Sequence, residues 1–182
     1  MSKVAFMFPG QGAQYVGMGK DFYDTYEEAK AVYQLAGEAT GLDVESLCFT
    51  ENDKLNVTEY TQIAMLATEV AILKVVEAKG IKADVCAGLS LGEYGALAAA
   101  KVMELKDLFH LIRMRGILMQ EAYPVGGAMT AVLGMDADKI KAEAVDVEAY
   151  TKTLMHEVNK SMPAYSKVNA VEVMDKPFEK TP

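Results

Sequence analysis

Apolar residues recur along this chain in two spacings, one typical of buried strands and the other typical of helices. Short apolar runs occupy residues 3–8 and 83–87, and a turn that contains glycine follows each of them. Longer segments at residues 21–39, 58–79 and 105–121 place apolar side chains at helical spacing. Strands that alternate with helices in this way predict an α/β fold, in which crossover helices connect the strands of a parallel sheet.

The pattern becomes weaker after the last of these helices. Gly126 and Gly127 predict a hinge, and a further short strand and helix are expected beyond it. We therefore expect three parts, which are a core at residues 1–125, the beginning of a small subdomain at residues 126–147, and an unrelated tail at residues 148–182.

The segment Gly-Leu-Ser-Leu-Gly at residues 88–92 fits the G-x-S-x-G pattern of a nucleophile elbow. In that motif a serine, here Ser90, lies on a strained turn between a strand and a helix, and its hydroxyl is exposed. The two glycines leave room for the strand and the helix to cross, because glycine has no Cβ. The pentapeptide alone also fits an ordinary glycine-rich turn, but the flanking strand and helix favour a hydrolase-like core with Ser90 as nucleophile.

Composition and charge exclude some classes of function. The chain has 182 residues, of which 51% are hydrophobic and 24% are charged, as is usual for a globular protein. Its net charge of −8 argues against a nucleic-acid partner, since nucleic acids are bound through basic surfaces. An anionic substrate would have to meet local positive charge instead.

The cysteines and the absence of long apolar runs favour a cytoplasmic protein. Cys48 and Cys86 have no metal-like spacing, and Cys86 falls in a predicted strand, where it would be buried. No apolar run reaches the roughly 18 residues of a membrane span, and we expect no membrane partner and no signal peptide.

Four motifs occur in the order found in malonyl-CoA:acyl carrier protein transacylases, and the chain resembles this family over residues 1 to about 144. The first three are Phe-Pro-Gly-Gln-Gly-Ala-Gln with Gln11, Thr-Glu-Tyr-Thr-Gln-Ile-Ala with Gln62, and Gly-Leu-Ser-Leu-Gly-Glu-Tyr with Ser90. The fourth is Arg-Met-Arg-Gly-Ile-Leu-Met-Gln with Arg115. The second motif departs from the family pattern, because Ile63 stands where proline is more usual.

The resemblance implies a function and a role for each of these residues. The family transfers a malonyl group from coenzyme A to the phosphopantetheine thiol of acyl carrier protein, and it needs no cofactor. Ser90 would attack the thioester, the backbone amides of Gln11 and Leu91 would hold the oxyanion, and Arg115 would bind the free carboxylate. Gln62 would lie near the active site. The small subdomain would be the beginning of a ferredoxin-like insert.

The helix predicted at residues 105–121 carries two arginines on opposite edges of its apolar face. At about 100° per residue, Arg113 and Arg115 lie about 80° to either side of that face, so they cannot reach the same pocket. The resemblance selects Arg115, whereas geometry alone would favour a surface arginine. The residues of the expected apolar face are Leu105, Leu108, Phe109, Ile112, Gly116 and Met119.

A serine nucleophile needs a base, and the family's histidine motif, Gly-x-Phe-His-Ser, is not found in this sequence. The sequence has only His110, which the helical spacing places on an exposed face, and His156. Residues 151–182 are similar to the C-terminal end of AMP-forming long-chain acyl-CoA synthetases. We interpret the chain as a join of two coding pieces or a gene-model artefact, with impaired transacylase activity.

Three alternative functions stay open at this point. The missing histidine motif favours an inactive fragment or an acyl-CoA-binding module. A serine thioesterase or lipase-like hydrolase would use the same elbow, but it would have no carboxylate for Arg115 to bind. An acyl-CoA synthetase fragment is supported only by the tail, and the sequence has no nucleotide-binding loop.

Overall fold

The computed structural model describes residues 3–122 of the chain. In chain order, the described elements are β1 (Ala5–Phe8), α1 (Lys20–Thr25), α2 (Glu27–Thr40), α3 (Val44–Phe49), α4 (Thr58–Ala78), β2 (Val85–Gly88), α5 (Gly92–Ala99) and α6 (Leu105–Ala122).

The two strands pair in parallel, with Ala5 opposite Val85 and Phe8 opposite Gly88. Helices α1 to α4 form the crossover between them, so the predicted α/β class and parallel pairing are confirmed. Parallel pairing brings the carboxyl ends of β1 and β2 to the same edge of the sheet, where ligand sites of open α/β sheets lie. The loop after Phe8 and the turn after Gly88 are therefore neighbours.

Helix α4 is the centre of the hydrophobic core. Most of its residues between Thr61 and Val75 are buried, on every side of the helix. A helix that is buried all round must pack against several elements, and α4 packs against α2 on one side and α6 on another. The predicted core positions Ile63, Leu66 and Val70 are fully buried, as expected.

The single helix predicted at residues 21–39 is wrong, because two helices occupy this segment. Tyr26 separates α1 from α2 with φ −124° and ψ 127°, which is extended backbone. Its N–H still accepts the end of α1 by donating to the Phe22 carbonyl, and its ring lies beneath the Lys79 ammonium at 4.8 Å. Gly41 ends α2 with φ 71°, in the left-handed conformation expected of a C-terminal glycine.

The predicted apolar face of α6 is correct for four residues and wrong for a fifth. Leu108, Phe109, Ile112 and Gly116 are buried, whereas Met119 is 42% exposed. A side chain at Gly116 would touch the backbone of Glu59, in the first turn of α4. One turn beyond Gly116, α6 has therefore passed the end of the helix against which it packs, and Met119 has nothing to cover it.

The unit that contains all described residues ends at Ala122. The small subdomain predicted for residues 126–147, its ferredoxin-like character, the tail at residues 148–182 and His156 lie outside the described residues. Among residues 3–122, no helix is long and apolar enough to span a membrane.

Candidate active site

Ser90 occupies a strained turn between β2 and α5. Its φ of 54° lies in the left-handed region, which is unfavourable for a residue with a Cβ and is typical of a nucleophile elbow. A Cβ on Gly88 would collide with the backbone of Gly92, and a Cβ on Gly92 would collide with the Phe8 carbonyl. The sequence Gly-x-Ser-x-Gly is thus required by the close crossing of strand, turn and helix.

The Ser90 hydroxyl is exposed and is the end point of a chain of hydrogen bonds. Arg115 donates from Nη2 to Ser90 Oγ at 3.1 Å and from Nη1 to Gln62 Oε1. Gln62 in turn donates from Nε2 to Gln11 Oε1 at 2.8 Å. Four residues predicted from separate motifs, on β1's loop, α4, the elbow and α6, are therefore in direct contact.

The loop after β1 is held against both α4 and the elbow. Gln11 donates from Nε2 to Thr58 Oγ1 at 3.1 Å, and Gln14 donates to Asn56 Oδ1 at 3.0 Å. A Cβ on Gly10 would lie 2.8 Å from the Leu89 carbonyl oxygen, so only glycine lets the loop approach the elbow this closely. These contacts fix the Gln11 backbone beside the turn that carries Ser90.

The two amides expected to hold an oxyanion are those of Gln11 and Leu91. Leu91 directly precedes α5, and its side chain is fully buried. In the part of the chain that the structure describes, no acceptor is bound to the N–H of either residue. Both donors are therefore available to a ligand, and the N-terminus of α5 adds a favourable dipole for negative charge.

The two arginines of α6 reach different partners, as their positions on the helix require. Arg113 donates to the Glu59 carbonyl at 2.8 Å and pairs with the Glu59 carboxylate at 3.2 Å. Arg115 instead lies over the Tyr94 ring, with 5.4 Å between Cζ and the ring centroid. Arg113 therefore ties α6 to α4, and Arg115 is the arginine at the serine.

Sequence reasoning did not identify Tyr94 or Glu59 as part of this arrangement. Tyr94 lies four residues after Ser90 and so falls one helical turn along α5, which is a usable signal. Glu59 had no comparable signal, because its pairing with Arg113 depends on how α6 packs against α4.

No base for Ser90 is found among residues 3–122. His110 is exposed on α6, and the structure gives it no hydrogen bond to Ser90. The guanidinium of Arg115 is a donor only, so it can bind an oxygen but cannot take a proton. The arrangement can therefore bind and polarise an acyl group, whereas proton removal from Ser90 needs a group from elsewhere.

Relatives and solved structures resemble the chain over most of its length. A malonyl CoA-acyl carrier protein transacylase from Bacillus subtilis (strain 168) is 46% identical over 143 residues, which are 78% of this chain and 45% of that protein. The enzyme of the same name from Staphylococcus aureus (strain MRSA252) is 43% identical over 142 residues, or 77% and 46% of the two chains. The chain thus spans about half the length of these curated relatives.

Solved structures give the same result. MCAT from Streptococcus pneumoniae matches with a TM-score of 0.66 and 50% identity, covering 68% of this chain and 41% of that one. An acyl carrier protein S-malonyltransferase from Vibrio cholerae matches with a TM-score of 0.71 and 41% identity, covering 80% and 48%. The described fold is therefore that of the α/β acyltransferases.

The model of the acyl transferase domain matches residues 5–155, which continue past residue 144, where we expected the resemblance to end. With the elbow geometry, the hydrogen-bonded site and a match over most of the sequence, the chain belongs to the acyl transferase domain family.

Proposed function

We propose that the protein accepts a malonyl group from malonyl-CoA as an ester on Ser90 and passes it to the thiol of acyl carrier protein. The observation that carries this proposal is the position of Arg115, whose Nη2 lies 3.1 Å from the Ser90 hydroxyl oxygen. A malonyl group carries a carboxylate one methylene beyond its ester carbonyl. A cation beside the nucleophile is where such a carboxylate would be bound.

Acylation would form a bond between Ser90 Oγ and the thioester carbon and break the bond from that carbon to sulfur. Coenzyme A leaves as the thiol, and it takes up the proton that the serine loses. In the second half-reaction the thiol of acyl carrier protein attacks the ester, the carbon–oxygen bond breaks, and Ser90 regains a proton. The chain alternates between a free and an acylated form, and no cofactor enters the proposal.

The Gln11 and Leu91 amides would stabilise the negative oxygen of each tetrahedral intermediate. Preorganised backbone donors at such a position typically contribute about 2.7–4 kcal/mol per donor to the lowering of the barrier. Both amides lie on segments that the close glycine contacts hold in place, at Gly10 and Gly92. The oxyanion would therefore meet donors that need no rearrangement.

Arg115 would exchange its contact with the Ser90 hydroxyl for contact with the malonyl carboxylate. Gln62, which is only 1% exposed, accepts from Nη1 and keeps the guanidinium plane oriented during this exchange. A planar guanidinium binds a carboxylate through two parallel hydrogen bonds. Local positive charge of this kind is needed, because the chain as a whole has a net charge of −8.

A second candidate is an acyl-CoA-binding protein that acylates slowly and transfers poorly. It is favoured by one observation, namely that none of residues 3–122 offers Ser90 a base. Binding and oxyanion stabilisation persist when a base is removed, so both candidates predict some ester on Ser90. They differ in steady-state transfer to acyl carrier protein, which would be fast for the first and very slow for the second. We infer the slow case for this chain.

The decisive experiment is incubation of the protein with malonyl-CoA or acetyl-CoA, followed by intact-mass and peptide-mass analysis. We expect a malonyl ester on the peptide that contains Ser90, far less acetyl ester, and neither in Ser90→Ala. A malonyl ester that survives Ser90→Ala would remove Ser90 from the mechanism. Equal labelling by the two thioesters would favour a thioesterase-like acyl site over a malonyl site.

Three further expectations stay predictions. They are the cytoplasmic location, the ferredoxin-like subdomain at residues 126–147, and the similarity of residues 151–182 to acyl-CoA synthetases.

A further inference from the structure

A cavity of about 390 Å³ follows the edge of β1 that does not face β2. All of residues 5–9 line it, although successive side chains of a strand point to opposite faces of a sheet. A cavity that contacts every residue in such a run must therefore follow the strand edge. No residue of β2 lines the cavity, as expected if β2 occupies the other edge.

The opposite wall of this groove is a stripe on α4. Its members recur at intervals of three and four residues and so lie on one face of the helix, at Met65, Thr68, Glu69, Ile72, Leu73 and Val76. The stripe extends over about 16 Å at about 1.5 Å per residue. The β1 edge extends over about 13 Å at about 3.3 Å per residue, so the groove has the length of a strand of about five residues.

Glu69 is a buried carboxyl group in this otherwise largely apolar groove. It is 7% exposed, and neither of its oxygens has a hydrogen-bond partner in the described part of the chain. Burial raises the pKa of Glu69 to about 8. A Cβ on Gly95 would lie 2.5 Å from its Oε2, so glycine in α5 makes the space that the carboxyl occupies.

An unpaired buried carboxyl is costly, and the natural compensation is a donor or a cation from a ligand. The groove lining includes no lysine or arginine that could pair with Glu69. The strand edge beside it presents backbone N–H and C=O groups that the described residues leave without a neighbouring strand. Both unmet requirements lie along the same 390 Å³ groove.

We propose that this groove binds an extended polypeptide segment, which adds as a strand to the free edge of β1 and places a lysine or arginine side chain against Glu69. Backbone hydrogen bonds to β1 supply the affinity, and the basic side chain supplies the specificity. The residues two positions before and after the basic one share its face of the segment, so they are apolar and cover the α4 stripe. This interaction is separate from the acyl site at Ser90.

The test uses the full chain and the peptide acetyl-Val-Thr-Lys-Thr-Val-amide, with binding measured by calorimetry at pH 7. Three matched peptides isolate the terms: norleucine in place of lysine removes the charge, glutamate reverses it, and N-methylation of alternate residues blocks the strand edge. We expect the lysine peptide to bind about tenfold more tightly than the norleucine peptide, as for one hydrogen bond to a charged group. The glutamate and N-methylated peptides should not bind measurably.

Two protein variants identify the pairing residue. Glu69→Gln keeps the shape of the side chain and should reduce the preference for lysine over norleucine to about one. Glu104→Gln removes a carboxylate from an exposed position on the same chain and should keep the tenfold preference. Hydrogen exchange of the Ala5–Phe8 amides should slow when the lysine peptide binds to the native protein.

The proposal is overturned if the lysine and norleucine peptides bind native protein equally, or if N-methylation does not weaken binding. It also fails if n-butylammonium binds as tightly as the lysine peptide, since the site would then be a pocket for small cations. Full protection of the Ala5–Phe8 amides in the free protein would show that the β1 edge is already covered, and this result too would overturn it.

Discussion

At the scale of single residues, the chemistry of the site depends on where one guanidinium is held. Arg115 is restrained by the Gln62 amide at Nη1 and by the Tyr94 ring beneath Cζ. Its second amino group is left to the Ser90 hydroxyl at 3.1 Å. A charged group restrained in this way loses little further side-chain entropy when it binds a carboxylate.

Arg115→Ala should reduce selectivity for malonyl-CoA over acetyl-CoA. The ester of a malonyl group would lose a charge-assisted hydrogen bond that the acetyl ester never makes, so we expect a loss of about 1.5–3 kcal/mol in the ratio of acylation rates. The measurement is the rate of ester formation on Ser90 with each thioester. Arg113→Ala is the matched control, because Arg113 pairs with Glu59 and should leave the ratio unchanged. Equal losses for both thioesters in Arg115→Ala would show that Arg115 binds coenzyme A or supports the fold.

Motifs identified some site residues and could not identify others. Ser90, Gln11, Gln62 and Arg115 were found because a resemblance carries residue roles with it, and the structure brings all four together. Helical spacing alone placed Arg113 and Arg115 on opposite edges of α6 and did not choose between them. The choice depends on which edge faces the elbow, and this is a property of tertiary packing. Glu69 was read as part of a core helix for the same reason.

At the scale of elements, the site exists because glycine permits two backbone crossings. Gly88 in β2 contacts the backbone of Gly92, and Gly92 in α5 contacts the backbone of Phe8 in β1. Three elements therefore meet with no side chain between them. This packing holds Ser90 in its left-handed conformation, and the strain of that turn must be offset by the surrounding structure.

Gly92→Ala should unfold or strongly destabilise the chain. Its new methyl group would meet the carbonyls of Phe8 and Pro9, which are backbone atoms and cannot move aside without separating α5 from β1. Overpacking of this kind costs typically 1–3 kcal/mol, and more when backbone must shift. The measurement is the midpoint of urea unfolding. Gly37→Ala in α2 is the control, because it meets a single carbonyl at 3.2 Å and gains helix propensity. Similar midpoints for Gly92→Ala and native protein would mean that α5 does not approach β1 so closely.

Boundaries of elements were less predictable than their type. The break at Tyr26 has no glycine or proline to announce it, and it depends on contacts with Phe22 and Lys79 that are far apart in sequence. The exposure of Met119 depends on where α4 begins, which the periodicity of α6 does not contain. The strands, by contrast, were visible because short apolar runs between turn residues are a local signal.

At the scale of the whole molecule, the described fold has a large helical core and a small sheet. The core forms around α4, whereas β1 and β2 keep several exposed apolar side chains, including Met7 and Val85. Parallel sheets are normally covered on both faces. The predicted α/β class followed from the alternation of strands and helices, but the number of strands in the sheet did not.

The stability of the whole chain should fall as the pH rises from 6 to 8, because of Glu69. Burial raises its pKa from 4.5 to about 8, so the native state holds a proton that the unfolded state has released. Stability is then greatest below pH 4.5 and is lost progressively up to about pH 8, with a limiting slope of about 1.4 kcal/mol per pH unit. The other strongly shifted groups do not titrate in this window: the pKa of Asp43 is lowered, and burial raises the pKa values of Cys48 to about 12 and of Tyr33 still further. We expect the free energy of unfolding by urea to fall by about 2 kcal/mol between pH 6 and pH 8 in the native protein. Glu69→Gln should remove this dependence and unfold at higher urea concentration at pH 8, while Glu104→Gln, at an exposed position, should keep it. If the native protein and Glu69→Gln lose stability in parallel, the carboxyl of Glu69 is hydrated or paired, and the groove along β1 does not hold it as a neutral acid.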